Sequence, residues 1–297
     1  MSWLFFALLS PIAYGVSNIL DNYLASKLFK NAWTLTAYSV LFNSLFISLV
    51  FFVETPGLPP ASLIPFLILI GLIETFYLYP YYKALQDDDT SVVASLFTLG
   101  KVSVPVLAFF LVGEVLSWHH YLGFLVIILG STALTVNGDG GKFHLNKSFG
   151  YMFICSLLLS VEAVVYKYAF EQVNWSTGFF WATLTTIPIV GCFFLLPRIR
   201  KDILIERRVF KKHVGIFAAQ ELFSFIGMAA LTYALVLAPV TLVAGIEALQ
   251  PIFVLLYALA LGQFFPKIFH ERTNIKNLFK KSLLFAIMII GVVLVTQ

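Results

Sequence analysis

Charge is what this sequence has least of. Only 11% of its 297 residues are Asp, Glu, Lys or Arg, less than half the share of about 25% found in ordinary soluble domains. With 60% hydrophobic residues and a mean hydropathy of +0.92, a water-soluble globule is excluded, and the solvent for this fold is lipid. Cysteine is scarce too. Cys155 and Cys192 are the only two, and both lie in apolar runs, where a free thiol acts as a small hydrophobe; a disulfide framework or CxxC metal site is excluded. There is no HExxH helix, and all five histidines (His119, His120, His144, His213, His270) fall in or beside connections, so an intramembrane hydrolase lacks its parts. No P-loop pattern occurs, which leaves gradients or exchange as the energy source for any transport. No cofactor and no metal are expected. Met1-Ser2-Trp3-Leu4 has no basic region and no small-residue cleavage site, so the first apolar segment reads as a retained helix.

What the chain does have is ten long apolar stretches. Their runs are unbroken, unlike the alternating strands of a barrel, and a backbone in lipid must otherwise be helical. Apolar runs and their Pro, Gly and polar breaks predict helices near 3–24, 33–53, 63–85, 91–113, 121–137, 149–170, 176–196, 213–236, 240–262 and 281–296. The fold class is therefore an all-α polytopic membrane protein. Ala238-Pro239 reads either as a tight turn or as a kink.

Basic residues are missing from one side. Numbered from the N-terminus, the odd connections hold 16 of the 19 Lys and Arg, and Lys83, Lys101 and Lys167 lie within the helix limits. By the positive-inside rule the odd connections face the cytoplasm and both termini lie outside a cell (inner) membrane. The cluster from Arg198 to Lys212 reads as a topology signal in contact with lipid headgroups, and nucleic acid is not an expected partner.

The second half echoes the first. Ala84-Leu85 and Ala234-Leu235 each close a span, and each is followed by a short turn and a new helix, at Val92-Val93-Ala94 and Leu242-Val243-Ala244; the offset is a constant 150 positions. Two units of five helices, residues 1–137 and 148–297, must enter the membrane from opposite sides because five is odd. That is the inverted-repeat plan of secondary transporters. With Tyr82-Lys83-Ala84-Leu85, Gly113-Glu114, Gly123 through Gly130 and Leu249-Gln250-Pro251, the chain resembles the EamA family of the drug/metabolite transporter superfamily over nearly its whole length. The resemblance implies ten transmembrane helices in two fused five-helix units, and it does not name a substrate. Gly100-Lys101 and Gly262-Gln263 depart from the family pattern, which usually has a proline at the first place and a second Gly-Glu at the other.

Ionisable residues inside the spans are the best guide to function, since each costs on the order of 2.5 to 3.5 kcal/mol at the bilayer centre unless it faces a cavity or a partner. Lys101 and Glu247 both fall near mid-membrane and converge under the repeat, either as a structural ion pair or as a clamp for one zwitterion. Glu74 and Glu221 are a second related pair, candidate proton carriers or helix-to-helix hydrogen bonders. Glu162 is read as cavity-facing and Lys167 as snorkelling to the interface. Tyr14, Asn18 and Asp21 draw one polar face on the first helix. Tyr81 and Trp181 are candidates to stack on a flat or cationic substrate, and Gln250 completes the candidate substrate-binding set. Trp3, Trp33, Trp118 and Trp175 read as interfacial anchors.

The expected activity is secondary transport of a small polar metabolite by alternating access, with amino acids and related zwitterions first. The alternatives are a nucleotide-like metabolite, a lipid-carrier flippase, and a structural membrane protein; an enzyme is disfavoured. The expected partners are a small-molecule substrate, coupled protons and the lipid bilayer, with the chain a monomer or weak homodimer.

Overall fold

A computed structural model describes residues 2–88, 90–136, 147–264 and 275–296. Among them there is no strand, as a lipid-facing backbone with no sheet partner requires. The helices are α1 (Trp3–Leu28), α2 (Ala32–Phe52), α3 (Ala61–Asp87), α4 (Val92–Val112), α5 (Trp118–Val136), α6 (Lys147–Phe170), α7 (Trp175–Leu195), α8 (Pro197–Lys212), α9 (Val214–Leu237), α10 (Val240–Leu261) and α11 (Ile275–Thr296). Over the described residues eight of them, all but α5, α8 and α11, are long and apolar enough to cross a membrane by length and composition. The chain is an all-helical, multi-pass membrane protein.

The connections are capped by local chemistry. Asn31 accepts from the Trp33 N–H at 2.9 Å to start α2, and Asn174 accepts from the Thr177 N–H at 3.2 Å to start α7. Gly113 ends α4 at φ 66°, the left-handed position that glycine adopts without a Cβ penalty. Ala238-Pro239 is a true break between two helices: Ala238 is extended, at φ −144° and ψ 164°.

That break is held from both sides. The Lys167 ammonium donates to the carbonyls of Leu235 at 2.9 Å and Ala238 at 3.2 Å, while Glu114 accepts from the N–H groups of Val240 at 2.7 Å and Thr241 at 3.1 Å. A cation thus meets a helix C-terminus and an anion meets a helix N-terminus, each complementing the local dipole. Lys167 does not snorkel away from the protein, because those carbonyls have no other helical partner.

The charged stretch after α7 is a helix, not a loop. α8 docks on the α1–α2 turn: Asn31 donates to Asp202 at 2.7 Å, the Lys30 N–H to Glu206 at 2.9 Å, and the Tyr38 hydroxyl to the Ile203 carbonyl at 2.8 Å. Tyr38 and Phe210 stack with centroids 4.4 Å apart. Seven basic residues on one short helix repel each other, so docking of the opposite face is what stabilises it.

In the bundle α1 packs chiefly on α9, α3 on α6 and α7, α4 on α6, and α10 on α1. α5 and α11 form a close pair of their own: a Cβ on Gly123 would lie 2.8 Å from the Gly291 carbonyl, and one on Gly291 would lie 2.9 Å from the Gly123 carbonyl. Small residues permit that backbone approach where lipid supplies no hydrophobic drive between helices. Of the two free cysteines Cys155 is buried, but Cys192 is exposed, on the outer face of the bundle. Trp175 and Trp33 are not simple interfacial anchors. Trp175 is buried and donates to Thr232 at 2.9 Å, and Trp33 stacks on Tyr79 at 4.1 Å.

Candidate functional site

Buried ionisable side chains are rare enough in this chain that where they meet is informative, and most of them meet in one place. A cavity with about 120 Å³ of water-accessible volume runs between α1–α4 and α6, α7, α9 and α10. A single water needs roughly 10–15 Å³ on that measure, so the space suits several waters or one small metabolite. Tyr14, Asn18, Asp21, Glu74, Tyr81, Lys101, Glu162, Glu221, Glu247 and Gln250 all line it.

The middle level is organised by an ion pair. Lys101 Nζ lies 2.6 Å from Glu247 Oε2, with side chains 10% and 16% exposed. Each residue ends a helical segment, Thr98–Lys101 in α4 and Val240–Glu247 in α10, so both helices are interrupted where the pair forms. A Cβ on Gly100 would run into the Ser156 carbonyl and the Leu157 amide; glycine there lets α4 press on α6 and sets the lysine facing inward. On the same level the Tyr166 hydroxyl donates to Glu74 Oε1 at 2.5 Å. Glu162 has Glu74 and Glu247 as its charged neighbours, and its Oε1 has no hydrogen-bond partner.

Farther along α1 the cavity has a second polar level. The Tyr81 hydroxyl donates to Asn18 Oδ1 at 2.9 Å and lies 3.2 Å from Asp21 Oδ2, and Ser17 donates to Asp21 at 3.3 Å. Gln220 donates through Nε2 to Ser17 at 3.2 Å, and Asn43 to Glu221 Oε2 at 2.9 Å. Ser39 and Tyr82 share a hydrogen bond of 2.8 Å beside them. No cation reaches this level among the described residues.

Trp181 stands apart from the other candidates. It lies outside the cavity and donates from Nε1 to the Gly57 carbonyl at 2.7 Å; Thr177 accepts from the Gly57 N–H at 2.8 Å. Its visible work is to tie the α2–α3 connection to α7. Tyr81 is in the cavity, but it presents its hydroxyl to Asn18 and Asp21 while its ring rests against Tyr82 and Phe97, both with centroids at 5.3 Å. Ser17, Ser39 and Asn43 were not singled out in the sequence. Their signal was spacing: Ser39 and Asn43 lie four apart in α2, and Ser17 lies four before Asp21 in α1, each on one helical face.

Residues 1–136 match the model of the EamA-like transporter family. That match places residues 1–136 with the EamA-like transporter family. The family, within the drug/metabolite transporter superfamily, agrees with an all-helical membrane fold built around a polar cavity. One solved protein crystal structure, 17% identical, aligns over 97% of this chain and 98% of its own with a TM-score of 0.65; at that identity it speaks for the fold alone. No curated protein matches the sequence.

Proposed function

We propose that this protein is a secondary transporter that carries a small polar metabolite by alternating access, with amino acids and related zwitterions as the first substrate class. The observation that carries this reading is the central cavity, lined from both halves of the chain and holding most of the ionisable side chains buried within the spans. Polar groups in lipid are costly, and a shared cavity is where they are tolerated.

The two moving parts would be residues 1–137 and 148–297. Reciprocal packing supports that division: if α1 corresponds to α6, α3 to α9 and α4 to α10, then α1 on α9 mirrors α6 on α3, and α10 on α1 mirrors α4 on α6. A pseudo-two-fold axis in the membrane plane would relate such pairs. The basic connections would face the cytoplasm, with both termini outside.

A zwitterion fits the middle level by exchange. Its carboxylate would replace Glu247 at Lys101 while its ammonium group takes Glu247, so one ion pair becomes two and no charge is left stranded. The test is thermal unfolding of the purified protein in detergent against amino acids, nucleosides, nucleotides and polyamines, followed by flux into vesicles holding only this protein. Stabilisation and flux by amino acids, lost in Lys101→Ala and Glu247→Gln, are expected. Silence across the panel would overturn the reading and leave a lipid-carrier flippase or a structural role.

A further inference from the structure

The cavity lining holds five carboxylates, Asp21, Glu74, Glu162, Glu221 and Glu247, against one cation, Lys101, among the described residues. Lys101 is already engaged by Glu247 at 2.6 Å. The remaining imbalance is not spread evenly. Asp21 and Glu221 are 4% and 2% exposed, and each keeps one oxygen, Oδ1 and Oε1, without a hydrogen-bond partner. Gln220, next to Glu221 in sequence, is 2% exposed; its amide nitrogen donates to Ser17, which in turn donates to Asp21, and its Oε1 is also unpartnered. Against these three buried acceptors stands one unmatched buried donor at this level, Asn18 Nδ2, so acceptors remain in excess, a costly arrangement, and their common complement is a group with several N–H donors and a positive charge.

We propose that Asp21, Glu221 and Gln220 form a second, cation-accepting subsite, and that the transported molecule is an aliphatic compound with two cationic groups, an ammonium or guanidinium at this level besides the one offered to the middle level. The inference rests on the reading of the cavity as a transport site. Spacing supports it: Tyr14, whose charged neighbours are Glu247, Glu162 and Glu74, and Asp21 are seven residues apart on α1, a rise of about 10 Å. Two ionic contacts of about 2.8 Å each leave at least about 5 Å between the nitrogens along that axis, and more where the contacts run across it, the range of a three- to five-carbon chain. No group of three or more His, Cys, Asp or Glu that could hold a metal ion converges among the described residues, and the neutral donors around Asp21 (Tyr81, Ser17) suit an organic cation sharing the carboxylate.

The test compares binding of lysine, norleucine and 1,5-diaminopentane to the purified full chain, by titration calorimetry in choline chloride. Norleucine keeps the zwitterion and the chain of lysine but not its far ammonium. Lysine is expected to bind at least about tenfold more tightly than norleucine, and Asp21→Asn and Glu221→Gln are each expected to remove that preference. Tight binding of the diamine as well would show that the second subsite works without a substrate carboxylate. Equal binding of lysine and norleucine by the unmodified protein would overturn the proposal whatever the variants do, because the second subsite would then take no cation from the ligand. Displacement of lysine by sodium chloride at constant ionic strength would overturn it too, by assigning the subsite to an inorganic cation. Lysine binding without lysine flux in vesicles would leave the subsite standing and overturn only the transport reading.

Discussion

At its middle level the cavity balances charge with charge, Lys101 against Glu247 at 2.6 Å; two helical turns along α1, Asp21 and Glu221 are held by neutral donors, Tyr81, Ser17 and Asn43. The two arrangements differ in what happens when one member is removed. An ion pair is a closed account in which either partner, left alone, is a buried charge with nothing opposite. A carboxylate held by hydroxyls and amides leaves behind only groups that can find another acceptor. The middle level should therefore be the brittle one, and the second level the one that tolerates change in the protein while responding to ligands.

The largest expected effect follows from breaking the pair on one side. Lys101→Ala strands Glu247 and should destabilise the protein by about 3 kcal/mol, the lower end of the range for orphaning one partner of a buried pair. The double variant with Glu247→Gln should regain most of that loss. Denaturant unfolding in detergent measures both, and a double variant no more stable than Lys101→Ala would mean that the pair is not what organises this level. Next comes the backbone contact that sets the lysine. Gly100→Ala places a methyl against the Ser156–Leu157 backbone, which cannot rotate away, and should cost about 2 kcal/mol by overpacking. An unchanged melting point would show that α4 need not press on α6.

The middle level was legible in the sequence and the second level only partly so, for a physical reason. Charged residues are expensive in lipid, so Lys101, Glu247, Glu74 and Glu162 announce a cavity by their mere presence. Serine, asparagine and tyrosine are cheap enough to sit anywhere in a span, and Ser39, Asn43 and Tyr82 gave no comparable signal. The repeat offset brought Lys101 and Glu247 together before the structure did, but it carried no information about which face Trp181 presents, and that tryptophan ties down a connection. α8 was hidden by its own charge, because a run of basic residues reads as solvated chain until Asn31, the Lys30 amide and Tyr38 are seen to hold it. Lys167 was misread for a related reason: its partners are backbone carbonyls, which a sequence never displays.

Lys167 also links the two levels. It holds the turn between α9, which carries Glu221, and α10, which carries Glu247. Lys167→Met keeps most of the length of the side chain and leaves the Leu235 and Ala238 carbonyls without their donor, at a cost of about 1–2 kcal/mol. Hydrogen exchange should quicken at Val240 and Thr241, the amides that Glu114 caps from the other side. Faster exchange elsewhere but not there would separate the lysine from the turn.

The smallest expected effect on stability is Asp21→Asn, and it sharpens the comparison most. The new amide oxygen can still accept from Tyr81 and Ser17, the donors already in place at 3.2 and 3.3 Å, and the side chain's shape is nearly unchanged. What is lost is a charge that no cation balances among the described residues, so the change in unfolding free energy should fall within about 0.5 kcal/mol of zero, as for substitutions that leave packing and hydrogen bonds intact. Glu247→Gln at the middle level makes the same chemical change and should cost clearly more, since it leaves the Lys101 ammonium unpaired. Measured side by side, a stability loss for Asp21→Asn as large as that for Glu247→Gln would mean that Asp21 has a charged partner within the fold, and the distinction between the two levels would fall. A near-zero loss, with the effect appearing only in ligand binding, is what a carboxylate kept for something outside the protein should give.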